Sequence, residues 1–295
     1  MSAVKKPFAY YGGKSHLAPT LIGLLPQHRV YVEVFGGSAA LLFAKPPSAL
    51  EVYNDLDSGL VGFFRVLRDP AKAQALREQL ELTPYAREEY ELARKLWRAP
   101  ADEIERVRQW YVTMFMSFSG HMAMSGWSYT IVPHANPARK FRNTLATFGQ
   151  FTERLANVQV ENADFDRVLA AYDSPDTLFY LDPPYVAASR RSTTIYTHEM
   201  TDADHTRLLD AVEDIQGMAI LSCYAHPLYD ARLAGWERLT KTSHAWSVAH
   251  TQASGLKGHG AAATQAREEV IWLNPACVRR QASLWQGVQG MEAIS

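Results

Sequence analysis

Short apolar runs separated by longer amphipathic stretches form the main pattern of this chain. We predict strands at the following runs: Tyr31–Phe35, Ala49–Tyr53, Val158–Val160, Leu178–Leu181, Met218–Cys223 and Val270–Leu273. Between several of them, apolar residues recur with helical spacing, for example over Asp204–Ile215. Strands that alternate with helices predict the α/β class with a mostly parallel sheet.

This alternation is interrupted once, between the second and the third predicted strand. Segments with helical spacing fill the gap: Asp69–Gln79, Tyr85–Arg98 and Asp102–Met116. No strand pattern lies between them. We therefore predict a mainly helical domain at 62–154, inserted into a discontinuous α/β domain formed by 1–61 and 155–295.

Composition and charge limit the classes of protein that fit. The formal net charge of −1 means that any surface for nucleic acid must be local. The only cysteines, Cys223 and Cys277, exclude a disulfide scaffold and a four-thiolate zinc site. Met1–Phe8 contains no apolar signal core, and no apolar stretch is long enough to span a bilayer. We expect a soluble intracellular protein.

The tetrapeptide Asp182-Pro183-Pro184-Tyr185 directly follows the predicted strand Leu178–Leu181. Prolines cannot donate ladder hydrogen bonds and they restrict the backbone, so the chain leaves the sheet in a rigid, extended form. A carboxylate, backbone carbonyls and an aromatic ring then suit a planar ligand with an exocyclic amino group. A proline loop with Asp182 as a turn former is the alternative. Open α/β sheets bind ligands at this edge, which favours a site.

Small residues follow the first strand, where the chain reads Glu33-Val34-Phe35-Gly36-Gly37-Ser38 before the helical Ala39–Ala44. Glycines between a strand and a helix let a ligand approach the backbone amides. The spacing lacks the full dinucleotide fingerprint, which disfavours NAD. A tight turn that serves only packing is the alternative.

Three further elements combine polar groups with aromatic rings or glycines. Asn54-Asp55 ends the second strand and suits a ribose hydroxyl pair, but it also suits an Asx turn or a helix cap, a role for which Asp57 competes. The segment from Tyr10 to Lys14 suits a carboxylate ligand, or else is an exposed turn with a solvated lysine. Asp164-Phe165 follows the third strand and suits an adenine ring with its amino group, or else a helix cap.

In this order, the elements resemble the motif set of the Dam-like DNA adenine-N6 methyltransferases. The family's aromatic-x-Gly-Gly-Lys element matches Tyr10 to Lys14, although a Trp is common at the first position. Its Glu-Pro-Phe-x-Gly-x-Gly element matches Glu33 to Ala39, with Val34 in place of the proline and Ala39 in place of the last glycine. The other motifs match in order: Asn54-Asp55, Asp164-Phe165, Asp182 to Tyr185 and the closing strand Arg267 to Asn274.

The resemblance implies a Rossmann-like sheet that binds S-adenosylmethionine and methylates adenine N6 in double-stranded DNA. The implied catalytic residues are Asp182, Pro183, Pro184 and Tyr185. The implied cofactor-binding residues are Tyr10, Gly12, Gly13, Lys14, Glu33, Phe35, Gly36, Gly37, Ser38, Asn54, Asp55, Asp164, Phe165 and Asp182.

This resemblance also implies a mechanism. The Asp182 carboxylate and the Pro183 carbonyl are expected to accept the two hydrogens of N6 and so to stabilise the transition state. Because stacking and pairing hide N6 in a duplex, the target adenosine must flip out, and Tyr185 is expected to stack on it. No metal is required, and the ten histidines show no zinc-ligand spacing.

Basic residues are the candidates for contacts with DNA. Arg139, Lys140 and Arg142 suit phosphate or base-edge contacts, with a solvated basic turn as the alternative. The predicted DNA-binding residues are Arg139, Lys140, Arg142, Arg190, Arg191 and Lys257. The uncharged segment Ser117–Tyr129 either contacts the DNA or packs beneath the insert. Ser243–Ala263, rich in small residues and histidine, is predicted to be a mobile loop.

Other functions remain in competition at this point. An RNA adenine or a DNA cytosine-N4 methyltransferase is disfavoured by Asp182, where those enzymes more often have Asn or Ser. A non-catalytic DNA-binding regulator of the same fold is disfavoured because pure binding requires neither Asp55 nor Asp182–Tyr185. We expect a bacterial or phage protein in the cytoplasm, associated with the nucleoid. The recognition sequence, a cognate restriction endonuclease and the oligomeric state stay open.

Overall fold

The computed structural model describes residues 7, 8, 10, 13–100, 102–120, 122, 126–186, 198–244 and 266–282. Its strands are β1 (Val30–Glu33), β2 (Leu50–Asn54), β3 (Val158–Glu161), β4 (Thr177–Leu181), β5 (Met218–Tyr224), β6 (Glu237–His244) and β7 (Ala266–Leu273). They form one seven-stranded sheet in the order β3-β2-β1-β4-β5-β7-β6. The pairs among β1 to β5 are parallel, whereas β7 runs antiparallel to both β5 and β6. The predicted α/β class with a Rossmann-like, mostly parallel sheet is confirmed.

Among the strands of the described residues, the edge strand β6 was not predicted by the apolar pattern. Its sequence contains a single apolar residue, Leu239, and most of its described side chains are exposed. Antiparallel pairing with β7 holds it in the sheet, with Arg238 opposite Trp272. An edge strand of this kind carries polar side chains, so its formation depends on its neighbour rather than on its own pattern.

Helices surround the sheet. They are α1 (Ala18–Leu24), α2 (Ala40–Ala44), α3 (Ser58–Arg68), α4 (Pro70–Leu82), α5 (Arg87–Leu96), α6 (Glu103–Met116), α7 (Pro137–Leu145), α8 (Phe148–Leu155), α9 (Phe165–Tyr172), α10 (Asp202–Glu213) and α11 (Pro227–Arg232). Short 3-10 turns lie at Lys14–His16, Phe118–Gly120 and Pro133–Ala135, and a further helix covers 275–282. The helices predicted between the second and third strands correspond to α4, α5 and α6.

Alternate residues of the central strands face opposite sides of the sheet, because the side-chain period of a strand is two. Val32 and Phe179 are buried on the side that α9, α10 and α11 cover. Tyr31, Tyr53 and Tyr180 are buried on the other side, against α1, α2 and the helices between β2 and β3. Both faces are therefore covered, as a parallel sheet requires.

The helices between β2 and β3 share their core with the sheet. Phe64 of α3 lies edge-on to Tyr53 of β2, with ring centroids 4.7 Å apart. Phe63 stacks on Tyr111 of α6 at 5.1 Å and an interplanar angle of 9°. Helix α3 also runs through the predicted domain boundary between 61 and 62. The division into an insert and a catalytic domain stays a prediction.

Two further predictions concern a mobile loop at Ser243–Ala263 and the lack of a membrane-spanning segment. Ser243 and His244 belong to β6, and the rest of the predicted mobile loop lies outside the described residues. Within the described part, no helix combines the length and apolar character that crossing a bilayer requires. The predicted cytoplasmic location stays a prediction.

Candidate active site

A cavity lies at the carboxyl ends of β1, β2 and β4, where an open α/β sheet is expected to bind ligands. Most of the predicted site residues line it: Tyr10, Gly13, Lys14, Glu33, Phe35, Gly36, Gly37, Ser38, Asn54, Asp55, Asp164, Phe165, Asp182 and Pro184. Residues that the sequence did not indicate also contribute, namely Tyr180, His198, Glu199, Met200, Asp204 and Arg207. The fold thus brings five separate motifs to one place.

The turn after β1 needs its small residues for packing as well as for access. A side chain at Gly36 would place its Cβ 2.2 Å from the Tyr53 ring. Gly37 and Ala39 have φ angles of 50° and 54°, in the left-handed region that favours glycine. The Tyr53 hydroxyl donates a 2.8 Å hydrogen bond to the Gly37 carbonyl. The packing alternative therefore explains part of this motif.

Two buried polar atoms beside that turn have no hydrogen-bond partner within the described residues, Oε2 of Glu33 and Oγ of Ser38. Both residues line the cavity. Buried polar atoms are nearly always hydrogen-bonded in folded proteins, so these two fit contacts with a ligand. Burial raises the pKa of Glu33 to about 8, against a lowering by Lys45 and by a hydrogen bond from the Leu42 backbone. A cationic donor would suit this carboxyl group.

The sequence left open whether Asp55 or Asp57 caps the helix that follows β2. Asp57 caps α3, accepting from the Gly59 amide at 2.8 Å. Asp55 accepts instead from the amides of Gly37 and Asp57, each at 2.8 Å, and so links the turns after β1 and β2. Burial raises the pKa of Asp55 to about 6 despite these amide hydrogen bonds. Asp55 is not the helix cap, but its hydrogen bond from the Asp57 amide is the Asx turn that the sequence offered as an alternative. Asp55 also lines the cavity.

The side chain of Asn54 forms hydrogen bonds with the backbone of neighbouring segments. Its Nδ2 donates to the carbonyls of Val34 and Ala163, at 2.8 and 3.0 Å. Its Oδ1 accepts from the Ala163 amide at 3.0 Å. Asn54 therefore joins the ends of three strands, and its predicted contact with a cofactor stays a prediction.

Asp164 caps α9 through the amide of Asp166 at 3.2 Å, so the cap alternative is correct for this residue. It nevertheless lines the cavity beside Phe165. The rings of Phe165 and Phe35 lie 5.8 Å apart between centroids, tilted by 40°. These rings form an aromatic end of the cavity.

Asp182 lies at the opposite end, immediately after β4. Its Oδ1 is 2.7 Å from the Lys14 ammonium and accepts a 3.3 Å hydrogen bond from Ser222, which in turn lies 2.9 Å from the Tyr180 hydroxyl. Burial raises the pKa of Asp182 to about 6, and Lys14 opposes that rise. No hydrogen bond to its Oδ2 occurs among the described residues, so this oxygen is available to a donor.

The Tyr185 hydroxyl belongs to the same cluster. It accepts a hydrogen bond from the Lys14 ammonium and donates to Oε2 of Glu269 at 2.9 Å. The ring is 5% exposed and lies 4.2 Å from the Tyr224 ring between centroids. The predicted stacking of Tyr185 on a flipped adenine stays a prediction.

Lys14 lies at the Asp182 end of the cavity, among the groups of the Asp182 motif. Its ammonium is 4.0 Å from Glu269 and 4.6 Å from the centre of the Tyr185 ring. Burial alone would lower the pKa of Lys14, but Asp182 and Glu269 raise it above its usual value. Lys14 is therefore charged, and it stabilises the ionised form of Asp182.

Comparison with known proteins identifies the family. A family model described as D12 class N6 adenine-specific DNA methyltransferase matches residues 10–225. The chain belongs to this family. It is also similar to the Type II methyltransferase M1.LlaDCHI of Lactococcus lactis subsp. cremoris, with 26% identity over 272 residues that cover 85% of this chain and 90% of the relative. The protein is an enzyme that methylates adenine in DNA, and the predicted resemblance is confirmed.

Sequence reasoning missed several residues of this methyltransferase site: Ser222, Tyr224, Glu269 and Arg207. Ser222 and Tyr224 lie at the carboxyl end of β5, the strand next to β4. Because neighbouring parallel strands end at the same edge of the sheet, the polar residues at the end of this strand could have been predicted to lie in the site. Glu269 belongs to the closing strand that the sequence matched to the family, but it was not predicted as a site residue. It enters from β7, which pairs with β5. Its position depends on strand order, for which the sequence contained no local signal.

The structure describes three of the six predicted DNA-binding residues of the methyltransferase. Arg139, Lys140 and Arg142 are exposed on α7, whose other side buries Phe141 and Leu145. No ion pair joins these three to another described residue. Asn136 caps the helix, accepting from the Ala138 amide at 2.9 Å. Gly12, Arg190, Arg191 and Lys257 lie outside the described residues.

The described ends of Ser117–Tyr129 form a bridge, with Ser117 opposite Trp127. Trp127 stacks on Tyr129 at 5.8 Å between centroids, and the Arg87 guanidinium lies 4.8 Å from the Trp127 ring centre. The Tyr85 hydroxyl donates to the Ser128 carbonyl at 2.8 Å. This part of the segment packs against Tyr85 and against Arg87 of α5, and Tyr129 is 47% exposed.

Proposed function

We propose that this methyltransferase uses S-adenosylmethionine to modify adenine at a specific sequence in double-stranded DNA, the activity of a site-specific, adenine-specific DNA methyltransferase. The observation that carries the proposal is the cavity that joins Glu33 and Ser38, with their unpartnered oxygens, to Asp182 with its available Oδ2. Donors from a cofactor and from a substrate amine fit the two sets of acceptors.

Three groups of cavity residues suit three parts of the cofactor. Oε2 of Glu33 and Oγ of Ser38 suit the ammonium and carboxylate end of the cofactor. The carboxylate of Asp55 suits the ribose hydroxyls, and Asp164 with Phe165 suits the adenine. When bound, S-adenosylmethionine supplies an electrophilic methyl group.

Asp182 performs the central step on the substrate. Its Oδ1 is oriented by Lys14 and Ser222, which leaves Oδ2 to accept a hydrogen from adenine N6. The Pro183 carbonyl accepts the second hydrogen. Acceptors in this arrangement favour a tetrahedral nitrogen, whose positive charge develops only in the transition state. Lys14 keeps Asp182 ionised for this role, and Tyr185 stacks on the flipped base.

The surface of α7 is the proposed contact with the DNA backbone. Arg139, Lys140 and Arg142 are exposed there without ion pairs to other described residues. Arg190, Arg191 and Lys257 are proposed to contribute as well. Because the relative from Lactococcus lactis is named a Type II methyltransferase, we also propose that this protein acts in restriction-modification beside a cognate endonuclease.

The test is to incubate the purified protein with labelled S-adenosylmethionine and either duplex DNA, RNA or no nucleic acid, and to identify the modified nucleoside by mass spectrometry. N6-methyldeoxyadenosine in the duplex alone is expected. Asp182→Ala should abolish the product but leave S-adenosylmethionine binding within a modest factor. Asp210→Ala, which removes an exposed carboxylate outside the cavity, is the control. Wild-type turnover by Asp182→Ala, or N4-methylcytosine as the product, would overturn the proposal.

A further inference from the structure

One arginine at the aromatic end of the cavity binds three carboxylates. Arg207 of α10 donates to both oxygens of Asp164, from Nη1 at 2.9 Å and from Nη2 at 3.1 Å. Its Nη1 also donates to Asp166, and its Nη2 donates to Asp204 at 3.2 Å. All four hydrogens of the two terminal nitrogens are therefore in use, and the guanidinium plane has a single orientation.

The same guanidinium covers the aromatic residue of the motif. Its central carbon lies 4.4 Å from the centre of the Phe165 ring. Arg207, Asp164 and Phe165 all line the cavity. Arg207 therefore contacts both members of the Asp164-Phe165 motif, and it links α10 to the turn that begins α9.

We propose that Arg207 is a positioning residue that holds Asp164 as the hydrogen-bond acceptor for the amino group of the cofactor's purine, and that it thereby selects a 6-amino purine over a 6-oxo purine. This inference rests on the proposed use of S-adenosylmethionine in the same cavity. Arg207 acts through Asp164 and Phe165.

The physical argument is one of orientation. A carboxylate gripped through both oxygens cannot rotate about its terminal bond, so the remaining lone pairs point in constant directions. Without the guanidinium, Asp164, Asp166 and Asp204 are three like charges in one place. Asp164 then keeps only the 3.2 Å hydrogen bond from the Asp166 amide to its Oδ1, so the orientation of its Oδ2 is no longer held. A fixed acceptor favours an amino hydrogen and disfavours a 6-oxo group, which presents a second acceptor.

A purely structural role predicts a different outcome. The side chains of Arg207 and Asp164 are 43% and 42% exposed, and exposed ion pairs contribute little to stability. Arg232 offers a matched control, because it also pairs with carboxylates of α10, Asp210 at 2.7 Å and Glu213 at 2.9 Å, but does not line the cavity. Loss of either arginine removes an ion-pair network from the same helix.

The experiment measures the affinities of S-adenosylhomocysteine and S-inosylhomocysteine for full-length protein by calorimetry. Wild type and Arg232→Ala are expected to prefer the adenosyl compound by tenfold or more, because the 6-oxo purine leaves the charged acceptor without its hydrogen bond. Arg207→Ala should lose most of that preference. Arg207→Lys should lose it as well, since one ammonium cannot bind both oxygens of Asp164 in a fork.

The outcomes separate the inference from the function on which it rests. A wild-type protein that binds neither compound overturns the proposed cofactor and this inference together. Normal adenosyl binding with an unchanged preference in Arg207→Ala overturns the role of Arg207 alone. A parallel loss of affinity for both compounds in Arg207→Ala, with the ratio retained, assigns Arg207 to packing and also overturns the inference.

Discussion

The ammonium of Lys14 lies 2.7 Å from Oδ1 of Asp182, so the glycine-lysine motif near the start of the chain contacts the proline motif after β4. The sequence assigned Lys14 to the cofactor. In the structure its contacts include Asp182, Tyr185 and Glu269. The Lys14 side chain is buried and that of Asp182 is only 17% exposed, so the ion pair is weakly screened by solvent and affects the ionisation of Asp182.

Removal of this lysine charge should shift the pH dependence of methylation. In the proposed mechanism Asp182 must be ionised to accept a hydrogen from N6, and its pKa is raised to about 6, so wild-type activity should rise with pH through that value. In Lys14→Met the carboxylate loses its cation, its pKa rises further, and the acidic limb moves to higher pH with a lower maximal rate. The measurement is the pH profile of single-turnover methylation.

Lys72→Met is the control for this change, because Lys72 pairs with Glu103 on the exposed surface, at 2.6 Å. Its profile should match that of wild type. An acidic limb that stays in place in Lys14→Met would mean that Lys14 does not influence the ionisation of Asp182.

Substitution of Asp55 should mainly weaken cofactor binding, whereas substitution of Asp57 should mainly destabilise helix α3. Asp55→Ala is expected to weaken S-adenosylmethionine binding by more than tenfold, because it removes a charge-assisted hydrogen bond worth about 1.5–3 kcal/mol. Asp57→Ala removes the cap of α3 and should lower the free energy of unfolding by about 1 kcal/mol. Because Asp57 also lines the cavity, its substitution should weaken binding less than Asp55→Ala rather than leave it unchanged. Calorimetry and urea unfolding of both variants check the pair. Unchanged affinity in Asp55→Ala would limit Asp55 to joining the two turns.

Binding of the cofactor should release a proton from Glu33. The pKa of this carboxyl group is raised to about 8, so it is protonated at neutral pH when no ligand is present. A cationic ammonium beside Oε2 favours the ionised form, and at pH 7 the release should approach about one proton. Calorimetry in buffers of different ionisation enthalpy measures it. The same release by Glu33→Gln would assign the proton to another group.

The exposed basic residues of α7 should contribute to DNA affinity on every sequence alike. Changing Arg139, Lys140 and Arg142 to Ala is expected to flatten the log–log salt dependence of DNA binding by about one unit for each lost phosphate contact. Cofactor affinity should stay unchanged. If one of them reads a base edge, discrimination should instead fall at one position, by about 1–3 kcal/mol.

A control with the same loss of charge is the triple change of Arg232, Arg238 and Arg280 to Ala, since these residues lie outside the insert in ion pairs with Asp210, Asp230 and Asp176. It should leave the salt dependence near that of wild type. Equal effects of the two triple variants would attribute DNA binding to net charge rather than to α7.

The sequence by itself determined the class of fold, the family and most of the cavity wall. Apolar runs of strand length separated by amphipathic segments predicted the parallel sheet, because the periods of strand and helix are local properties. The chemistry at the ends of β1, β2 and β4 was also readable, since glycine turns and Asp182-Pro183-Pro184-Tyr185 limit the backbone locally. The strand β6 was missed because its pattern is polar.

Only the tertiary structure decided how the motifs meet. The order β4-β5-β7 brings Glu269 to Tyr185 and Ser222 to Asp182, and no local pattern encodes which strands become neighbours. The position of Arg207 is also not encoded locally, because its contact with Asp164 depends on how α10 packs beside α9. Periodicity and motif spacing report the few residues on either side of a position, whereas an active site consists of contacts between residues far apart in the chain.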